Sequence, residues 1–204
     1  MENQKIILGI TGNIGGGKTT VSKIFEKLGA VRFSSDELAK YYTSEKSPIK
    51  DELVRRLGED ILDLYGILDR KKIAGIVFHD KEKLEILNKI IHPLVLRDFK
   101  NQTLNATGVI IWEVPLLFES RADKLCDYTL TVYSEDSVAL ERVRNREEKL
   151  SEEDYKARSD AQLSVKEKLK YSDFNIENNG TLEELQIKTE MIYAKIKNLM
   201  KERK

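Results

Sequence analysis

Between Gly12 and Thr19 the chain reads Gly-Asn-Ile-Gly-Gly-Gly-Lys-Thr, the spacing GxxxxGK[ST] of a phosphate-binding loop. Each residue type answers a need of a triphosphate. The glycines (Gly12, Gly15, Gly16 and Gly17) permit backbone conformations closed to other residues, so that successive N–H groups can converge on phosphate oxygens. A helix starting at Lys18 adds the positive end of its dipole. Lys18 is placed to reach the β- and γ-phosphates, Thr19 to offer its hydroxyl to Mg²⁺, and Thr20 to make a further phosphate contact. The alternative, a glycine-rich turn with no ligand, is weakened by the strand pattern before the string and the helix pattern after it. The loop cradles a nucleotide and leaves open what receives the phosphoryl group.

Two further sets of residues could complete such a transfer. Asp36 lies just beyond the carboxyl end of a predicted strand, on the rim where open parallel sheets hold ligands, and a carboxylate there can take an alcohol's proton or aim its oxygen at phosphorus. Asp is equally a favoured N-cap, and capping a helix that begins with Glu37 and Leu38 explains it as well. Arg142 and Arg146 are four apart on a predicted helix, so both guanidiniums point the same way while Arg144 points elsewhere. Two such forks can clamp phosphates as charge shifts in the transition state. A solvated face balanced by Glu141, Glu147 and Glu148 accounts for them equally.

The elements that must position these groups alternate between strand and helix. Lys5 to Thr11, Gly108 to Val114 and Tyr128 to Tyr133 are apolar runs suited to buried parallel strands, with shorter strands at Ala30 to Ser34 and Phe174 to Glu177. Val21, Ile24, Phe25 and Leu28 space a helix that Gly29 ends. Ser47-Pro48 reads as the start of a helix that Gly58 stops, and residues 69–107 read as helical except for an interruption at His92-Pro93. A helix from about Glu135 to Arg146 precedes a charge-dense stretch, residues 147–170, whose few apolar residues suggest a poorly anchored, mobile lid. Thr181 and Glu184 form a capping box for a terminal helix with Leu185, Ile192, Ile196 and Leu199 on its apolar stripe. This alternation implies an α/β fold with a parallel sheet.

Other residues carry blander readings. His92 has no second ligand at metal spacing and reads as a helix-terminating packing residue; Trp112 and Tyr133 read as core. Glu113, at the end of an apolar strand, stands where an acid could orient metal-bound water. Cys126 is the single cysteine, which excludes an intrachain disulfide and a thiolate metal site and leaves a small buried residue.

Composition bounds the rest. A chain of 204 residues can bury roughly 70% of its unfolded surface, so one compact unit with small appendages needs no staple. Its 35 basic and 35 acidic residues cancel, which disfavours a nucleic-acid or anionic-membrane binder and makes any anion site a local concentration of positive potential. The N-terminal apolar run is too short for a signal peptide or a membrane span, so a cytoplasmic location is expected.

Beyond these physical readings, the chain resembles the dephospho-CoA kinases along nearly its whole length. The likeness is carried by Gly9 to Val21, by Ser35-Asp36-Glu37-Leu38-Ala39, by Ile91-His92-Pro93-Leu94 and by Val114-Pro115-Leu116-Leu117-Phe118-Glu119. It continues through Glu141-Arg142 with Arg146, Arg158 with Gln162, and Asp173 to Gly180, which closes on Asn178-Asn179-Gly180. The resemblance implies a three-layer P-loop fold like that of nucleoside and nucleotide kinases. Its divisions would be a core at residues 1–39, 108–139 and 172–204, a helical acceptor (CoA) domain at 40–107 and a lid region at 140–171. It implies ATP and Mg²⁺, and transfer to the 3′-hydroxyl of dephospho-CoA by a monomer or weak homo-oligomer. Asp36 then matches the general base, Lys18 and Thr19 the phosphate and Mg²⁺ ligands, and Arg142 and Arg146 the lid arginines. The chain has Ser34-Ser35-Asp36 where the family often has Asp-Ala-Asp, and Glu113 where an Asp often stands. A kinase of a nucleoside monophosphate or small metabolite alcohol is the second reading. A nucleotide-dependent switch is the third, and the lack of a guanine-recognition signature counts against its GTPase form.

Overall fold

The apolar run Lys5–Thr11 forms the central strand β1 of the computed structural model, which describes residues 4–77, 79–146, 152–160 and 162–203. Helix α1 (Lys18–Lys27) follows the glycine loop, burying Val21 and Phe25 one turn apart. It stops where Gly29 takes φ 99°, a left-handed geometry that costs glycine little. Strand β2 (Val31–Ser34) comes next.

The chain then builds a helical unit of its own, Ser35–Leu104: α2 (Ser35–Tyr42), α3 (Lys50–Leu57), α4 (Arg70–Val77) and α5 (Lys81–Thr103). Leu53, Leu57, Ile61, Leu68, Ile73 and Val77 are buried together here, so the expectation of one core fails: the insertion is long enough to bury its own apolar residues. Two local readings also change. Helix α3 starts at Lys50 behind Ile49, because the Ser47 hydroxyl is used elsewhere, donating to the Tyr42 carbonyl (2.5 Å) and accepting from the Ile49 N–H (3.3 Å). Helix α5 runs straight through His92-Pro93. Proline deletes one backbone donor there, but Ile91, Val95, Phe99 and Thr103 make a buried stripe every fourth residue that holds both halves in one helix. Asp80 caps α5 by accepting from the N–H groups of Glu82 and Lys83.

The other unit, Met1–Ser34 with Asn105–Lys204, continues with β3 (Gly108–Glu113), β4 (Tyr128–Tyr133), α6 (Asp136–Arg146), α7 (Glu152–Asp160), α8 (Val165–Tyr171), β5 (Phe174–Glu177) and α9 (Leu182–Glu202). Its five strands pair in parallel in the order β2-β3-β1-β4-β5. On one face Ile6, Leu8 and Ile10 pack with Val21 and Phe25 of α1 and with Leu185, Ile192 and Ile196 of α9. At Gly9, whose neighbours Leu8 and Ile10 face that core, an added Cβ would meet Cys126 and Leu117. The Thr181–Glu184 capping box starts α9.

Candidate active site

Strand β1 delivers the chain into the loop at Gly12, whose φ is 147° and where a Cβ would lie 1.7 Å from the Val132 carbonyl oxygen. No side chain fits there, because the loop backbone packs directly on β4. Gly15 and Gly16 are similarly enclosed, the former by the Ala139 backbone and the latter by the Asn13 side chain. Gly17, the residue before α1, has φ 100°. Asn13 pins the loop to the end of β4, donating from Nδ2 to the Ser134 carbonyl (2.9 Å) and accepting from the Ser134 N–H (3.3 Å).

Lys18 Nζ donates to the carbonyls of Gly12 (3.1 Å) and Asn13 (2.9 Å), holding a positive charge across the loop. The N–H groups of Gly17, Lys18, Thr19 and Thr20 are the first donors of α1, the ones a helix leaves for an external acceptor. Thr19 Oγ1 donates to Glu113 Oε1 (2.5 Å), and Glu113 Oε2 accepts from Arg32 (3.1 Å). Both Arg32 and Glu113 are almost fully buried, and their pairing makes the burial of each charge tolerable. With its proton committed to Glu113, the Thr19 hydroxyl keeps its lone pairs for a hard cation, a donor suited to Mg²⁺, which takes one or two protein oxygens beside phosphate oxygens. Among the described residues no group of three His, Cys, Asp or Glu is placed to hold a metal alone.

The remaining candidates are placed as follows. Arg142, partly buried on α6, donates from Nη1 to the Asn178 carbonyl (2.8 Å), so it is committed to the turn after β5. Arg146 is exposed at the end of α6; Glu147 and Glu148, suggested as its partners, lie outside the described residues. Asp36 is the second residue of α2, in the other unit. The helix starts at Ser35, so Asp36 is inside its first turn and does not cap a helix that begins at Glu37.

Two residues escaped the reading of the sequence. Lys168 of α8 is fully buried, so this part of the charged stretch is firmly anchored. Its ammonium donates to the Pro115 carbonyl (2.9 Å), Gln162 Oε1 (3.1 Å) and Thr11 Oγ1 (3.4 Å) and pairs with Glu119 (3.3 Å). Desolvation lowers its pKa, and Glu119 partly restores it. A lysine in a polar run gave no signal of this. Asn178, 6% exposed, donates from Nδ2 to the Gly16 carbonyl (2.9 Å), and its only signal was the Asn-Asn-Gly string.

The family model of dephospho-CoA kinase matches residues 6–184. The chain belongs to the dephospho-CoA kinase family. A dephospho-CoA kinase from Leptospira interrogans is 46% identical over 190 residues, which is 92% of this chain and 91% of the relative. A solved structure from Thermus thermophilus is 34% identical, has a TM-score of 0.81 and covers 94% of this chain and 98% of its own. The dephospho-CoA kinase from Campylobacter jejuni is 27% identical with a TM-score of 0.61, over 95% and 98% of the two chains. The fold is that of P-loop kinases, and the family makes the chain an ATP-dependent kinase enzyme. Among the described residues no helix is long and apolar enough to cross a membrane.

Proposed function

We propose that the chain transfers the γ-phosphoryl group of ATP to the 3′-hydroxyl of dephospho-CoA, giving CoA and ADP. The observation that carries the phosphate-handling part is the loop itself, where glycines packed on β4, the N-terminal amides of α1 and the Lys18 ammonium lie together. Those donors hold the β- and γ-phosphates and meet the negative charge that grows on the leaving oxygen. The acceptor oxygen attacks the γ-phosphorus, the bond from that phosphorus to the bridging oxygen breaks, and ADP departs with the bond's electron pair. Asp36 takes the hydroxyl proton, and Arg146 adds positive charge toward the transferring group. Arg142 contributes by holding the Asn178 turn.

Mg²⁺ would be held by Thr19, with Glu113 behind it, and when bound would supply charge neutralisation for the phosphates. Residues 40–107 serve as the acceptor domain, and within the region 140–171 the helix α7 (Glu152–Asp160) serves as the lid, because Arg142 and Lys168 fasten the two ends of that region. A cytoplasmic enzyme accords with a chain whose one cysteine is a free thiol.

The test is mass spectrometry of products after incubation with Mg·ATP and a panel of dephospho-CoA, AMP, adenosine and pantetheine. One phosphate should be gained by dephospho-CoA alone, and Lys18→Ala should slow that gain by about a hundredfold or more. Phosphorylation of AMP or adenosine in its place would move the chain to a different acceptor.

A further inference from the structure

The peptide between Gly16 and Gly17, like the Gly15–Gly16 peptide before it, is flanked on both sides by residues without a Cβ, so little in its own chemistry resists its flipping over. A flip would turn the Gly17 N–H, the first donor of α1, through about half a circle. One side chain opposes this. Asn178 Nδ2 donates to the Gly16 carbonyl at 2.9 Å, in a contact so close that a Cβ on Gly17 would lie 2.2 Å from that nitrogen. The peptide is trans, so its C=O and N–H point in opposite directions. Fixing the carbonyl on Asn178 therefore fixes the Gly17 N–H to point away from Asn178.

Asn178 is itself held on every side. Its own N–H donates to the Tyr133 carbonyl (2.7 Å) at the end of β4, and its carbonyl accepts from Arg142 of α6. The next residue, Asn179, accepts from the Glu135 N–H (2.9 Å). Beyond it Gly180 is enclosed by Glu184 of the α9 capping box. The donor that reaches Gly16 thus belongs to a turn tied to β4, α6 and α9, and a rigid holder is what orienting a flexible peptide requires.

We propose that Asn178 is a positioning residue for phosphoryl transfer, locking the Gly16–Gly17 peptide so that the Gly17 N–H faces the phosphates of the bound nucleotide. The proposal rests on the loop being the ATP site. Asn178 touches no reacting atom. It lowers the cost of binding because the amide does not have to be ordered when the nucleotide arrives. The Arg142 contact makes α6 part of the same support.

The wild-type enzyme is first titrated with ADP and assayed on dephospho-CoA; if it neither binds ADP nor forms CoA, the functional reading falls and this inference with it. With wild-type activity established, Asn178→Ala should weaken ADP binding about tenfold, the equivalent of one well-placed hydrogen bond. It should lower kcat while leaving the KM for dephospho-CoA unchanged. Asn178→Asp keeps the shape but sets an oxygen against the Gly16 carbonyl, so it should be at least as impaired as Asn178→Ala; a packing role would make it the milder variant. Unchanged ADP affinity in Asn178→Ala, or recovery in Asn178→Asp, overturns the proposal. Should neither variant fold, the amide spectrum of the wild type decides, because the Gly17 N–H resonance must shift on saturation with ADP. A resonance that stays put overturns the proposal.

Discussion

Replacing Lys168 by Met removes a charge and keeps a stem of similar length, and the structure sets how much that should cost. Breaking a buried ion pair by deleting one member costs about 3–5 kcal/mol when the partner is left without compensation. Here the loss is smaller. The Pro115 carbonyl still receives the Thr11 hydroxyl (2.9 Å), and Glu119 Oε1 still receives the Leu163 N–H (2.8 Å). The Glu119 side chain is 18% exposed, so water reaches part of it. Among the described residues, however, no hydrogen bond reaches the buried Glu119 Oε2, so removing the Lys168 charge beside Oε1 leaves a carboxylate with one oxygen unsatisfied. About 2–3 kcal/mol is the expected loss, a fall in Tm of roughly 4–12 °C for a chain of this size. Trp112, the only tryptophan, is buried on β3 in the sheet-bearing unit, so urea unfolding followed by its fluorescence reads that unit rather than the helical insertion. Lys168→Met combined with Glu119→Gln should be less costly than the sum of the two single changes by at least about 1 kcal/mol. A single variant within about 0.5 kcal/mol of wild type, or strict additivity, would refute the claim that this ammonium pins α8 to the ends of β1 and β3.

Other outcomes follow from equally specific contacts. Burial, with Asp123 and Asp127 nearby, pushes the Cys126 thiol from its usual 9.0 up to about 12, so the fold favours the protonated form. That contribution is complete below pH 9 and is lost as pH rises toward 12. At pH 8 iodoacetamide should alkylate the native protein about a thousandfold more slowly than the unfolded chain, and equal rates would show the thiol to be open. Gly12→Ala should cost more than about 3 kcal/mol or prevent folding, because its Cβ would strike the β4 backbone. Gly58→Ala, with φ 99° and ψ 167° but open space around it, should cost only about 1–3 kcal/mol by thermal unfolding; equal losses at both sites would remove the steric argument. Pro93→Ala restores a backbone donor inside α5 and should raise stability by about 1–3 kcal/mol, whereas a lowered Tm would mean that the ring is needed there.

What could be read from the sequence was what neighbouring residues decide among themselves. The glycine string, the apolar runs of β1, β3 and β4, the Gly29 stop and the Thr181–Glu184 box are short-range patterns, and each formed where its residues stand. Pattern failed where packing overrode local preference. Pro93 did not end α5, because the stripe from Ile91 to Thr103 outweighed one lost donor. The stretch that held Lys168 looked loose because periodicity counts apolar residues and cannot see a charge that finds partners inside.

The candidate site divides along the same line. The residue types at Gly12 to Thr20 were enough to announce phosphate chemistry, since the loop makes its site from its own backbone. Its supports come from far along the chain: Glu113 reaches Thr19 across 94 residues, Lys168 reaches Thr11 across 157 and Asn178 reaches Gly16 across 162. Those distances close only when parallel strands bring their carboxyl ends together, and no rule of spacing along a chain contains that event. The sequence determined which glycines, lysine and threonines stand in the loop; the tertiary structure decided what holds them still.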